Sequence, residues 1–239
     1  MGASRSGADG LDVLAAEVRG CAACARLVSW RQAVALPGAR GRRPGPYAAS
    51  GIPGFGDPSA RLVVVGLAPA AHGGNRTGRM FTGDRSGDFL VAALNRAGFA
   101  NGPTSVSADD GLVLRRCWLT AAVRCAPPQN RPLPAERDAC APFLARELTL
   151  LTEARVLLAL GAYAFDALGR IGALGAAESA GGRARFAHGL ELALGPARAG
   201  GPARTLLCSY HPSQRNVFTG RLTAAMFDAV LARAAVLCG

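Results

Sequence analysis

The sequence contains no lysine, so all 27 of its basic residues are arginine. Against them stand only 16 acidic residues, which leaves a net charge of +11. Abundant Ala, Gly and Arg is also what a GC-rich genome produces, so the choice of arginine over lysine carries little weight. The excess of positive charge does carry weight: it calls for an anionic partner. A nucleic-acid backbone is the commonest such partner, and an acidic membrane surface is the weaker option. Also lacking is any apolar run long enough to span a bilayer, so no membrane segment is expected. The first ten residues are small and polar and lack the apolar core of a signal peptide, so a cytoplasmic protein is expected rather than a secreted one. Seven cysteines cannot all pair, which excludes a complete disulfide framework. In a reducing compartment, clustered cysteines more often bind metal than crosslink.

What is present suits one globular unit. Half of the 239 residues are hydrophobic, ample for a buried core. The chain is organised around residues 66–84, Gly66-Leu-Ala-Pro-Ala-Ala-His-Gly-Gly-Asn-Arg-Thr-Gly-Arg-Met-Phe-Thr-Gly-Asp84. Before it stands Arg61-Leu-Val-Val-Val65, a short apolar run that reads as a buried parallel strand. After it, residues 88–97 carry apolar positions at helical spacing. A long glycine-rich loop thus leaves the carboxyl end of a strand, where open α/β sheets bind ligands. As a composition alone it also reads as an ordinary mobile loop, since Gly and Asn are common turn formers.

Three further strands are expected over 117–123, 154–160 and 204–209, with helices over 11–19, 134–152, 161–170 and 221–237. Residues 36–58, dense in Pro, Gly and Arg, read as an irregular connection. Residues 181–194 read as a small hairpin or edge excursion. The expected fold is therefore α/β: a single domain over 11–239, with a four-stranded parallel sheet covered by helices on both faces, after a disordered stretch 1–10.

Cys21-x-x-Cys24, Cys125 and Cys140 are the candidate metal ligands. A zinc ribbon would show a second tight pair, which Cys125 and Cys140 do not form. Iron–sulfur clusters accept thiolates from more scattered positions, so a [4Fe–4S] cluster held by these four leads, with zinc second. Such a cluster would tie the N-terminal segment to the domain. Cys117, Cys208 and Cys238 lie in apolar contexts, where free cysteine is a small core residue.

With those cysteines, residues 66–84, Leu119-Thr-Ala-Ala-Val-Arg-Cys-Ala-Pro-Pro-Gln-Asn130 and His211-Pro-Ser213 occur in family order. In these motifs the chain resembles the iron–sulfur uracil-DNA glycosylases, and among them the broad-specificity type 5 group, from about Cys21 to its end. Leu67 and Ala121 follow the type 5 pattern, where type 4 relatives carry an acidic residue and an Asn. Met80 departs from it, for a proline commonly precedes the aromatic residue. The resemblance implies a monomeric, base-flipping DNA-repair enzyme of bacterial or archaeal type with a [4Fe–4S] cluster. Its partner would be DNA carrying uracil or other damaged bases.

The reaction implied is hydrolysis of the bond between base and deoxyribose, through an oxocarbenium-like transition state. By the same resemblance, His211 stabilises the negative charge that develops on uracil O2, helped by backbone N–H groups of the loop from Gly66 to Gly74. The plainer reading of His211 is a packing imidazole before proline. Phe81 would stack on the flipped base, and Ala121 leaves the base pocket open. Asn130 has an amide suited to a base edge, or is a turn residue. Cluster-free relatives keep a carboxylate early in the loop, where this chain has Ala68-Pro69-Ala70. Asp84, the loop's only carboxylate, is then the candidate to hold the attacking water; its plainer reading is a helix cap. Asn75 is the fallback for the water. His72 belongs to the same motif, and Ser213 and Arg215 follow His211 on the same edge. Arg215 is expected to hold a phosphate, Gln214 or Asn216 to reach into the gap left by the flipped base, and Arg76 and Arg79 to flank the site with positive charge. His188 is left as structural. The competing readings are a non-catalytic iron–sulfur subunit that binds nucleic acid and a hydrolase of free nucleotides.

Overall fold

The computed structural model describes residues 7–174, 184–196 and 200–239. Its strands are β1 (Phe55–Gly56), β2 (Leu62–Gly66), β3 (Cys117–Ala121), β4 (Val156–Leu160), β5 (Glu191–Leu194) and β6 (Arg204–Ser209). They form one sheet in the order β1-β3-β2-β4-β6-β5. The inner four, β3-β2-β4-β6, are mutually parallel, as expected. The sheet has six strands rather than four because an antiparallel strand closes each edge. β1 is two residues ending in glycine, too short for any periodic signal. β5 is the foreseen edge excursion, though residues 181–183 lie outside the described residues.

β2, β3 and β4 are buried along their whole length, as their mainly apolar sequences require; the polar exception, Thr120 in β3, donates its Oγ1 to Glu147 Oε2 at 2.6 Å. Side chains alternate between two packed layers. Leu62, Val64, Leu119, Leu158 and Leu207 face α4 (Arg85–Arg96) and α8 (Ala224–Cys238), where they meet Leu90, Leu94, Phe227 and Leu231. Val63, Val65, Leu157, Ala159 and Leu206 face α1 (Gly7–Gly20), α5 (Pro134–Leu150) and α6 (Ala162–Arg170), against Leu11, Leu144, Leu148, Phe165 and Leu168. Cys117, Cys208 and Cys238 are buried in these layers. Among the described residues no helix is long and apolar enough to cross a membrane.

Two corrections concern the N-terminal half. Helix α1 begins at Gly7, so the last four of the ten residues expected to be disordered are helical; residues 1–6 lie outside the described residues. A helix α2 (Ala25–Ala33) follows Cys24 without any sequence expectation of it. It buries only Leu27 and Arg31, one turn apart, and an arginine on the inner face hides the apolar stripe that marks most helices.

The chain leaves β2 for β3 on one side and returns to β4 on the other. Strand order therefore reverses between β2 and β4, and the crevice beyond their carboxyl ends is the natural ligand site of such a sheet. The loop 66–84 opens there, carrying the single-turn helix α3 (Gly74–Thr77).

Candidate active site

β2 and β3 end in register, Gly66 beside Ala121. The Phe81 ring lies against Gly66: a Cβ there would stand 2.5 Å from the ring's Cζ, so only glycine leaves room for it. Phe81 itself holds φ at 50°, an uncommon conformation for an aromatic residue and one that proteins keep mainly at functional sites. Ala121 is buried with Ile52 and Met80, and Phe81 packs on the three of them. Met80 thus supplies core packing beneath the ring. Phe81 over Gly66 and beside the small Ala121 therefore sits at the carboxyl ends of β2 and β3.

Asp84 is the N-cap of α4. Its Oδ1 accepts from the Ser86 N–H at 2.9 Å and the Gly87 N–H at 3.0 Å. Its Oδ2 faces the loop backbone at Gly73, too closely for any side chain there. Capping is therefore real, and it engages one oxygen only. Burial lifts the carboxyl above the ordinary aspartate range, opposed by the two N–H donors, which favour the charged form.

His211 follows β6. Burial pushes its imidazole down to about 4, so it is neutral at physiological pH. A neutral ring keeps one N–H to donate, and among the described residues it donates to nothing. The segment after it turns into α7 (Gln214–Phe218), capped by Ser213, whose Oγ accepts from the Asn216 N–H at 3.3 Å. Asn216 does not reach outward. Its Nδ2 donates to the His211 carbonyl at 2.9 Å, clamping the helix to the catalytic candidate. Gln214 and Arg215 are exposed.

His72 is half-buried within the loop. Tyr47 Oη accepts from the Arg43 N–H at 3.0 Å and is in hydrogen-bond contact with His72 Nδ1 at 2.8 Å. Burial, then Arg43 and Arg76, hold this imidazole below its usual value. Asn75 is fully buried, and its Nδ2 donates to the Arg31 carbonyl at 3.0 Å. Its Oδ1 is buried without a partner among the described residues. Ala68 packs against Leu27, Val123 and Cys125. Asn130 is exposed, in a left-handed turn with Gln129 at the end of a short 3₁₀ segment (Pro128–Asn130).

Arg79 does not flank the site. It is buried, paired with both oxygens of Asp110 at 2.8 Å, bonded to Thr82 and Ser105, and stacked 5.0 Å from the Phe55 ring centroid. Its charge is spent inside the fold, where an unpaired guanidinium would be costly. Arg76 turns its Nε to the His72 carbonyl at 3.1 Å.

Cys21, Cys24, Cys125 and Cys140 line one cavity, closed by Leu27, Val28, Val123 and Phe143. Two N–H donors already point at sulfur: Arg31 Nη1 to Cys125 Sγ at 2.9 Å, and the Arg124 N–H to Cys140 Sγ at 3.2 Å. Arg31 Nη2 donates to the Cys21 carbonyl at 3.0 Å. Burial raises the thiols of Cys24, Cys125 and Cys140, the last to about 11. Among the described residues, no three His, Cys, Asp or Glu side chains gather as a site for one ion.

The model of the uracil DNA glycosylase superfamily matches residues 53–235, more than half of the chain. The chain belongs to the uracil DNA glycosylase superfamily. It is similar to proteins called type-5 uracil-DNA glycosylase in Mycobacterium tuberculosis, 49% identical over 98% of this chain and 84% of that one, and in Thermus thermophilus, 50% identical over 92% and 94%. A protein called type-4 uracil-DNA glycosylase, from Pyrobaculum aerophilum, is 30% identical over 70% of this chain and 74% of its own length. Within the superfamily the chain thus stands with the type 5 proteins.

Sequence reasoning about this superfamily member missed Tyr47, Arg43 and Arg31. Tyr47 and Arg43 lie in the irregular stretch 36–58, where Tyr47 is one of only two aromatics, with Phe55, among Gly, Pro and Arg. Arg31 lies on the helix that the pattern hid.

Proposed function

We propose that this chain is a DNA-repair glycosylase that takes uracil, and other deaminated or damaged bases, out of the DNA stack and hydrolyses the bond to deoxyribose, leaving an abasic site. One observation carries this reading. Phe81 over Gly66 beside Ala121, the free oxygen of Asp84 and the unengaged imidazole of His211 all belong to the carboxyl-end loops around one crevice. A free-nucleotide hydrolase would not need the net charge of +11.

The flipped base lies on Phe81, with Ala121 at its edge. As the C1′–N1 bond breaks, its electron pair goes to the uracil ring and negative charge grows on O2. The His211 N–H donates to that oxygen, and its neutrality makes it a donor that does not surrender its proton. Asp84 holds the water with Oδ2, offsets the positive charge on the sugar and takes the water's proton as the new C–O bond forms. Backbone N–H groups from Gly66 to Gly74 complete the pocket. His72, fixed by Tyr47, and Asn130, Ser213 and Arg215 serve the DNA around it.

Cys21, Cys24, Cys125 and Cys140 hold a [4Fe–4S] cluster in this reading. Four thiols from scattered chain positions around one cavity support this reading over a zinc ribbon, which would show a second tight pair. The cluster pins α1, α2 and α5 to the end of β3; the residues of the pocket perform the hydrolysis. Anaerobically purified protein is expected to be brown and to contain about four irons per chain. Zinc without iron would contradict this.

Ala121→Asn is expected to narrow the base range, adding an amide at the base edge and lowering release of hypoxanthine relative to uracil. Because Ala121 is buried, the larger residue is also expected to cost about 1–3 kcal/mol of stability. An unchanged ratio between bases would move base reading to Asn130. The function itself is tested on single-stranded oligonucleotides carrying uracil, hypoxanthine or an undamaged base, with free deoxyuridine monophosphate as the monomer. Release from the polymer alone is expected; release from the monomer would favour a nucleotide hydrolase, and binding without release a non-catalytic subunit.

A further inference from the structure

Phe218 ends α7 and is 69% exposed. The other large apolar side chains exposed among the described residues, Val13, Leu36, Val106, Val113, Leu133 and Val236, are aliphatic. An exposed phenyl ring gains nothing from water, yet this one is not loose. The Arg85 guanidinium sits 5.5 Å from its centroid. Both partners are anchored to the catalytic candidates. Arg85 directly follows Asp84 and opens α4. Phe218 stands on a five-residue helix clamped to the His211 carbonyl through Asn216 and held again where the Leu222 N–H donates to the Asn216 carbonyl at 3.0 Å. Between Leu192 and Phe227 the sequence has no carboxylate, while Arg215 and Arg221 flank the ring in sequence.

We infer that the Arg85–Phe218 pair is a stacking subsite for the nucleobase next to the flipped nucleotide, on the strand that carries the lesion. Every base has a π face, so an aromatic ring receives it whatever its identity, and the guanidinium beside it suits the phosphate that follows. The subsite would hold the strand at the point where the flipped base leaves its stack. It rests on the DNA reading above, and it adds a place for a second base.

The test uses binding of single strands that carry cleavage-resistant 2′-fluorodeoxyuridine, with the neighbouring nucleotide either normal or abasic on each side in turn. The normal chain is expected to bind about 5- to 100-fold more weakly when one particular neighbour lacks its base, the range that removal of one base–aromatic stack produces. Phe218→Ala is expected to lose a similar factor and then to be indifferent to that neighbour, while Phe218→Trp keeps the preference and Phe218→Leu does not. Since the ring is exposed, these variants leave the core intact. Unchanged binding by Phe218→Ala, or a loss that is the same with and without the neighbouring base, overturns the inference. Uracil release by the normal chain, measured alongside, judges the glycosylase reading separately: release with no neighbour effect removes the subsite alone, and a neighbour effect with no release removes the glycosylase reading alone.

Discussion

Asp84→Asn is expected to slow single-turnover uracil release by roughly 10²–10⁴-fold, the usual contribution of a positioned general base, with DNA affinity and melting temperature nearly unchanged. The substitution separates the two duties of this residue. An asparagine carbonyl accepts from the Ser86 and Gly87 N–H groups as Oδ1 does, so the cap on α4 survives. What disappears is the negative charge on the side facing Gly73. Asp84→Ala removes both, and is expected to add a loss of about 0.5–2 kcal/mol in stability to the same loss of rate. If Asp84→Asn cleaves normally, the carboxylate is a cap and the water is held elsewhere, with the unpartnered Oδ1 of Asn75 the next candidate. Because burial raises the Asp84 carboxyl, protonation as the pH falls begins at a higher pH than for an exposed aspartate. The acid side of the rate profile should fall correspondingly early, and Asp84→Asn should lack that part of the fall.

His211→Ala is expected to slow release by roughly 10²–10³-fold, the effect of losing one donor to a developing oxyanion. The imidazole is held down to about 4, so it stays neutral as the pH passes through the ordinary histidine range. No change of rate centred near 6.5 is therefore expected. A rate that rose as the pH fell through that region would mean that His211 works as the imidazolium. Near-normal release by His211→Ala would leave the backbone N–H groups of the loop as the only oxyanion donors. The variant is not expected to lose its fold, because the Asn216 clamp uses the His211 carbonyl rather than its ring.

The central sheet was legible because buried parallel strands are mainly apolar, and Leu62–Gly66, Cys117–Ala121, Val156–Leu160 and Arg204–Ser209 each carry an apolar stretch. The edges were less so, since Phe55–Gly56 owes its strand form to pairing with β3 rather than to its own pattern. In the site, Asp84 showed both a cap and a carboxylate in sequence, and both features are present in the structure. Arg79 misled because a sequence gives charge without its partner; Asp110 stands 31 positions away. Tyr47 was invisible for the same reason: its meaning lies in a hydrogen bond to His72 across 25 positions. Long-range polar pairs leave no periodicity to read.

The most direct measurement is the identification of the product released from a single-stranded oligonucleotide with one uracil, incubated with purified protein and no other enzyme. The account predicts free uracil in amounts equal to the abasic sites, which become strand breaks only after alkali. An intact strand with no free base, at protein concentrations that bind the oligonucleotide, would contradict it.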